Sequence, residues 1–186
     1  MSIINAYAKN GIYITLESGI AKQNGLPNAS QAGANQMNTE YFPGVARVAI
    51  GYNHDLYDYL GIGLDIGLGY YGTTHYDYST YKSDVYSKTL EFLGVAAWHM
   101  KNWDLIGKVG GIRQKLMITG NNSSANPAEI APEISIGCAY NFNAHVALIA
   151  DYAHVFGDQI QSFNGLKDKT PSLNELLFGI RYIFGP

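Results

Sequence analysis

Between positions 60 and 70 the chain alternates with a period of two. Leu60, Ile62, Leu64, Ile66, Leu68 and Tyr70 fall on one face, and Gly61, Gly63, Asp65, Gly67 and Gly69 on the other. Successive side chains of a β-strand point to opposite sides, so this segment predicts a strand with one uniformly apolar face. Its second face is nearly bare and holds one carboxylate. A soluble sheet carries many charges on its solvent face. Glycines there suit a strand that curves tightly around a narrow lumen.

The same two-faced pattern recurs. Ile12, Ile14, Leu16 and Ile20 oppose Tyr13, Thr15, Glu17 and Gly19; Val48, Ile50 and Tyr52 oppose Arg47, Ala49 and Gly51. Leu90, Phe92, Ala96 and Trp98 oppose Thr89 and Glu91, with the less polar Leu93 and Val95 on that second face. Ile134, Ile136, Cys138 and Tyr140 oppose Glu133, Ser135, Gly137 and Asn141, and Val146, Leu148, Ala150 and Tyr152 oppose His145, Ala147, Ile149 and Asp151. Leu176, Phe178, Ile180, Tyr182 and Phe184 oppose Glu175, Leu177, Gly179 and Arg181. In 103–118, Trp103, Leu105 and Val109 oppose Lys108, and beyond Gly110-Gly111 Ile112, Leu116 and Ile118 take the apolar parity against Arg113 and Lys115. A β-bulge at the glycine pair accounts for that change of parity.

Eight strands result, roughly 11–21, 44–52, 57–71, 86–98, 103–118, 129–140, 144–155 and 173–184. The predicted fold is all-β, an eight-stranded antiparallel up-and-down transmembrane β-barrel in a single domain. Closure leaves no unpaired edge, which lipid requires because unsatisfied backbone groups there cost several kcal/mol each.

Connections alternate in length: short near 53–55, 99–102 and 141–143, long over 22–42, 72–84, 119–127 and 156–171. Outer-membrane barrels have short periplasmic turns and longer outside loops, so both termini are expected in the periplasm. Tyr52 and Tyr57, Trp98 and Trp103, Tyr140 and Phe142 flank the short turns, and Tyr182 and Phe184 end the last strand. They predict an aromatic girdle at one membrane boundary.

Composition agrees. Of 186 residues, 47% are hydrophobic and only 15% charged, yet mean hydropathy is −0.08. Alternating lipid-facing and lumen-facing residues average to that near-neutral value, and no apolar run reaches the ~18 residues of a membrane helix. A net charge of −3 and a pI near 5.9 give no basic footprint, so nucleic acid is not an expected partner. Cys138, the lone cysteine, excludes internal disulfides and cysteine-rich metal sites. Residues 1–10 lack a charged start followed by an apolar core, so the sequence reads as a mature chain with an added Met1, exported by a signal it no longer carries.

The C-terminal strand, Leu177-Phe178-Gly179-Ile180-Arg181-Tyr182-Ile183-Phe184, resembles the terminal signature of bacterial outer-membrane barrels. Gly179, Tyr182 and Phe184 stand at its marked positions. Leu177 occupies a usually polar place, and Gly185-Pro186 follow the final Phe. The resemblance implies recognition by the barrel-assembly machinery. As a pattern the whole chain resembles OmpA-like and OmpX-like barrels without a periplasmic domain.

The predicted lumen collects Glu17, Asp65, Glu91, Glu133, Asp151 and Glu175 with Arg47, Lys108 and Arg181. Buried charges must find partners, so these nine are expected to pair across the interior and plug it. Paired carboxylates also suit acid–base catalysis. His54, His99 and His145 sit by short turns, His75 and His154 toward long loops, and no pair has metal-ligand spacing; neither metal nor cofactor is expected. Barrel lipid A deacylases carry His-x-Ser, whereas this chain reads His154-Val155-Phe156, near Asp158 and Ser162. Tyr76, Tyr78 and Tyr81 form the best candidate contact surface, since tyrosine offers rigid amphipathic area. They could equally pack on neighbouring loops and lipopolysaccharide.

The leading expectation is a surface protein in the outer membrane, presenting loops for adhesion or envelope contact, with a plugged lumen and no enzymatic role. Expected partners are membrane lipid, lipopolysaccharide, the assembly machinery and a host or surface ligand. A narrow pore or small-solute channel is the alternative, and a lipid A-modifying enzyme a further one. A soluble lipocalin needs the inverse pattern, apolar inside and polar outside.

Overall fold

Alternation becomes architecture when each strand pairs with two neighbours. The computed structural model describes residues 10–24, 37–39, 43–78, 81–120, 123–125, 128–157 and 170–184, with side chains described except at 37–39, 74–78, 81–85, 118–120 and 123–125. Eight long strands run β1 (Gly11–Asn24), β2 (Gly44–Tyr57), β3 (Leu60–Tyr78), β4 (Tyr81–Met100), β5 (Trp103–Gly120), β6 (Ala128–Asn141), β7 (Val146–Val155) and β8 (Ser172–Phe184). Each pairs antiparallel with its neighbours in sequence, and β1 pairs with β8 from Ile12↔Phe184 to Asn24↔Ser172, closing the barrel. Two three-residue strands, Met37–Thr39 and Ser123–Ala125, extend the outer ends of β3 and β5. No helix occurs among the described residues.

Burial is inverted relative to a soluble protein. Leu16 (59%), Leu64 (53%), Phe92 (56%) and Phe178 (56%) stand exposed on the outside, while Arg47 (4%), Glu133 (0%) and Glu175 (1%) are enclosed. An apolar exterior of this extent is a lipid-facing surface. Tyr59 and Tyr70 mark the ends of the outer stripe on the β3 hairpin. At roughly 3.3 Å per residue and a tilt near 40°, that stripe is about 28 Å tall, close to the ~25 Å apolar band of such barrels.

The aromatic girdle is a set of touching rings at the short-turn end. Tyr59 contacts Tyr57 (5.5 Å between centroids) and Trp98 (4.8 Å). Tyr140 contacts Trp103 (4.9 Å) and Phe142 (5.2 Å), and Tyr182 meets Phe184 (4.8 Å) and His145 (6.1 Å).

Three local expectations are corrected. No bulge interrupts β5 at Gly110-Gly111: its pairing with β4 and β6 runs in unbroken register. Parity therefore holds, Ile112 and Leu116 point into the lumen with Gln114, and Arg113 and Lys115 point outward. The bulge lies instead between Asp55 and Tyr57, so β2 continues past the expected turn and reverses at Asp58–Tyr59. Finally, the second long connection is mostly strand. Pairing of β3 with β4 continues, after an irregularity at Tyr71/Thr74, out to Tyr78↔Tyr81.

Glycines on the inner face make room for the lumen side chains. A Cβ at Gly51 meets the Asp65 carboxylate and the Tyr13 ring, and one at Gly137 meets the Asp151 carboxylate.

Candidate functional site

The lumen gathers charged side chains from every wall of the barrel, because closure turns every second residue of eight strands toward a common axis. All nine charged residues expected there are buried. They form two groups.

Nearer the long-loop end, Arg47 of β2 reaches carboxylates on three other strands. Its Nε lies 3.1 Å from Glu91 Oε2 on β4, and Nη2 lies 3.3 Å from Glu133 Oε1 on β6 and 3.0 Å from Glu175 Oε2 on β8. Tyr71 donates its hydroxyl to Glu175 and Thr89 donates to Glu91 at 2.8 Å. One cation facing three carboxylates, with neutral donors supplementing it, is a tie across the barrel.

Deeper toward the short turns, Lys108 Nζ donates to Asp151 Oδ2 at 2.8 Å and stands 3.6 Å from Asp65 Oδ2. Tyr13 donates its hydroxyl to Asp65, and the Arg181 guanidinium lies over the Tyr13 ring, 4.3 Å from its centroid. Glu17 shares this interior with Lys108 and Asp151.

Apolar layers cap both groups. Ala21, Val45, Tyr71, Ile112, Ala131, Val155, Leu173 and Leu177 pack toward the long-loop end. Val95, Ala97, Ile106, Ala139, Ala147 and Ile149 pack toward the short turns. Below them a polar mouth closes: His99 Nδ1 lies 2.9 Å from Asp104 Oδ1 and its Nε2 lies 3.2 Å from Asp55 Oδ1. Asn141 Nδ2 donates to Asp104 at 3.1 Å and Asn53 Nδ2 to Asp55 at 2.9 Å. Sequence reasoning left out this cluster, along with Tyr13 and Tyr71. Parity alone puts Asn53, Asp104 and Asn141 inward, but which strands face one another needs the closed barrel.

The remaining candidates lie apart from the lumen charges. Tyr182 and Phe184 face outward in the girdle, and Gly179 faces inward opposite Glu17. Tyr76, Tyr78 and Tyr81 lie on the arms of the projecting β3–β4 hairpin, with side chains outside the described set. His154 Nδ1 lies 2.8 Å from Asn174 Oδ1, which also accepts from the Tyr152 hydroxyl at 2.9 Å; Asp158 and Ser162 lie outside the described residues. Among the described residues no group of His, Cys, Asp and Glu is arranged to hold a metal ion.

A closed eight-stranded antiparallel barrel, apolar outside and charged within, is the architecture of small outer-membrane barrels of the OmpA-like and OmpX-like fold. Comparison with solved structures agrees. Ail, the attachment invasion locus protein of Yersinia pestis, superposes with a TM-score of 0.60 at 12% identity, over 94% of this chain and 99% of that one. Neisserial surface protein A matches with a TM-score of 0.60 at 14% identity, over 94% and 97%. The N-terminal barrel of Pseudomonas aeruginosa OprF matches at 0.53 and 13% identity, over 92% and 97%. No family model matches the sequence, and no curated protein matches it.

Proposed function

We propose that this barrel is a non-conducting, non-enzymatic anchor that holds its long-loop end outward, where the loops meet a surface ligand or the cell envelope. The layered lumen carries this reading. A conducting pore needs a continuous wet path, whereas here the charged groups are tied across the axis and capped by apolar layers at both ends. The paired β3–β4 hairpin supplies a stalk for contact on the same side. Ail, a barrel of the same fold, is named for attachment and invasion and has been crystallised with the heparin analogue sucrose octasulfate. That supports ligand contact by a barrel of this fold. Gly179, Tyr182 and Phe184 serve assembly under this reading, with Phe184 sealing the β1–β8 seam opposite Ile12.

Planar-bilayer recording tests the plug. Purified, refolded protein is expected to leave the bilayer current at baseline. Reproducible single-channel steps from the wild-type chain would falsify the anchor reading in favour of a narrow pore.

A further inference from the structure

We propose that Lys88, Arg113 and Lys115, together with the furrow beside them, form a binding site for a phosphorylated glycolipid of the outer leaflet. The assignment rests on the orientation proposed above, with the long loops outward.

The outer face is sorted by charge. Among outward-facing strand positions with described side chains, none is aspartate or glutamate. The lysines and arginines there are Lys22, Lys88, Arg113 and Lys115, all toward the long-loop ends of their strands. Three of the four are clustered. Lys88 of β4 and Lys115 of β5 are direct cross-strand partners, and Arg113 lies two residues from Lys115 on the same face, opposite Leu90. Directly opposed Cβ atoms are about 4.5–5.5 Å apart, and like charges so placed repel. None of the three has a carboxylate partner among the described residues. At an interface with lipid beneath, such a cluster calls for an external anion, and a phosphate meets all three at once.

Beside the cluster lies an apolar place for a chain. Leu16, Ala46, Val48, Leu68, Tyr70 and Lys88 line an outward furrow of about 510 Å³. Ala46 forms its floor because it is the small residue in a cross-strand row with Ser18 and Tyr70. Tyr70 in turn pairs with Lys88, so the row runs from the furrow directly to the cations. An acyl chain below and a phosphate above is the arrangement that a membrane glycolipid presents. A free anion has no use for the furrow, and a protein partner would meet it only within the bilayer.

The test uses the full chain refolded into detergent, with folding checked by the mobility shift between unboiled and boiled samples. Native mass spectrometry then counts bound bisphosphorylated lipid A during a titration. The variant Lys88→Gln/Arg113→Gln/Lys115→Gln changes only exposed side chains and is expected to keep the fold. Each cation near an anionic lipid surface contributes roughly fivefold in affinity, so the triple variant should bind on the order of a hundredfold more weakly. Lys22→Gln should bind as wild type, and Ala46→Phe should weaken binding by filling the furrow. Lipid A stripped of its phosphates should bind wild type as poorly as phosphorylated lipid binds the triple variant. Equal retention by wild type and the triple variant, or of the two lipids, overturns the proposal. Displacement by inorganic phosphate also overturns it, since that marks a free-anion site. Conductance is independent of this readout: a barrel that conducts yet retains lipid A refutes only the plug, and a silent barrel without lipid selectivity refutes only the site.

Discussion

Removing Arg47 is the sharpest probe of the lumen. Its guanidinium meets three carboxylates at 3.0 to 3.3 Å. At an effective dielectric near 20, each contact is worth about 5 kcal/mol of attraction. Repulsion among the three glutamates and a desolvation cost of several kcal/mol per ion cancel most of that sum. What Arg47→Met exposes is the uncompensated charge left behind, expected to destabilise the barrel by about 3–5 kcal/mol. Urea unfolding in lipid vesicles, followed by the fluorescence of Trp98 and Trp103 in the girdle, reads this loss. A companion variant, Arg47→Met with Glu91→Gln and Glu133→Gln, separates charge from packing: it should recover most of the stability, because two of the orphaned charges are gone. If Arg47→Met unfolds within about 0.5 kcal/mol of wild type, or if the companion is no more stable than the single variant, the tie is not what holds the lumen together.

Two further variants address the wall. Leu64→Arg places a charge midway along the outer stripe of β3, where Leu64 is 53% exposed, and should cost roughly 2–4 kcal/mol in the same vesicle titration. An unchanged midpoint there means that this face does not meet lipid. Gly137→Ala drives a methyl into the Asp151 carboxylate that Lys108 binds, and should cost roughly 1–3 kcal/mol through displaced side chains. A Gly137→Ala barrel as stable as wild type would show that the lower charge group can move aside freely.

Much of the wall is legible residue by residue, because strand parity is a local property. The run from Leu60 to Tyr70 declares its lipid face without reference to any other segment, and the glutamates of β4, β6 and β8 fall inward by counting alone. The β5 segment shows where local reading fails. Ile112 and Leu116 are apolar, so hydropathy assigns them to lipid and invites a bulge; unbroken pairing with two neighbours instead carries them inward, where they help cap the lumen. The expected outside loop 72–84 failed for a similar reason. Its polar, tyrosine-rich composition reads as loop, but two arms already zipped below it can continue pairing beyond the membrane, where no alternation of hydropathy is required.

By itself, then, the sequence determined the period, the faces of every strand except the second half of β5, and the inward placement of the nine lumen charges, since each follows from side chains at fixed spacing along one strand. Only the closed tertiary structure decided who meets whom. That Arg47 gathers Glu91, Glu133 and Glu175, that His99 bridges Asp55 and Asp104, and that Lys88 stands against Lys115 all depend on the stagger between strands. Stagger is set by pairing around the whole ring, and no single strand contains it.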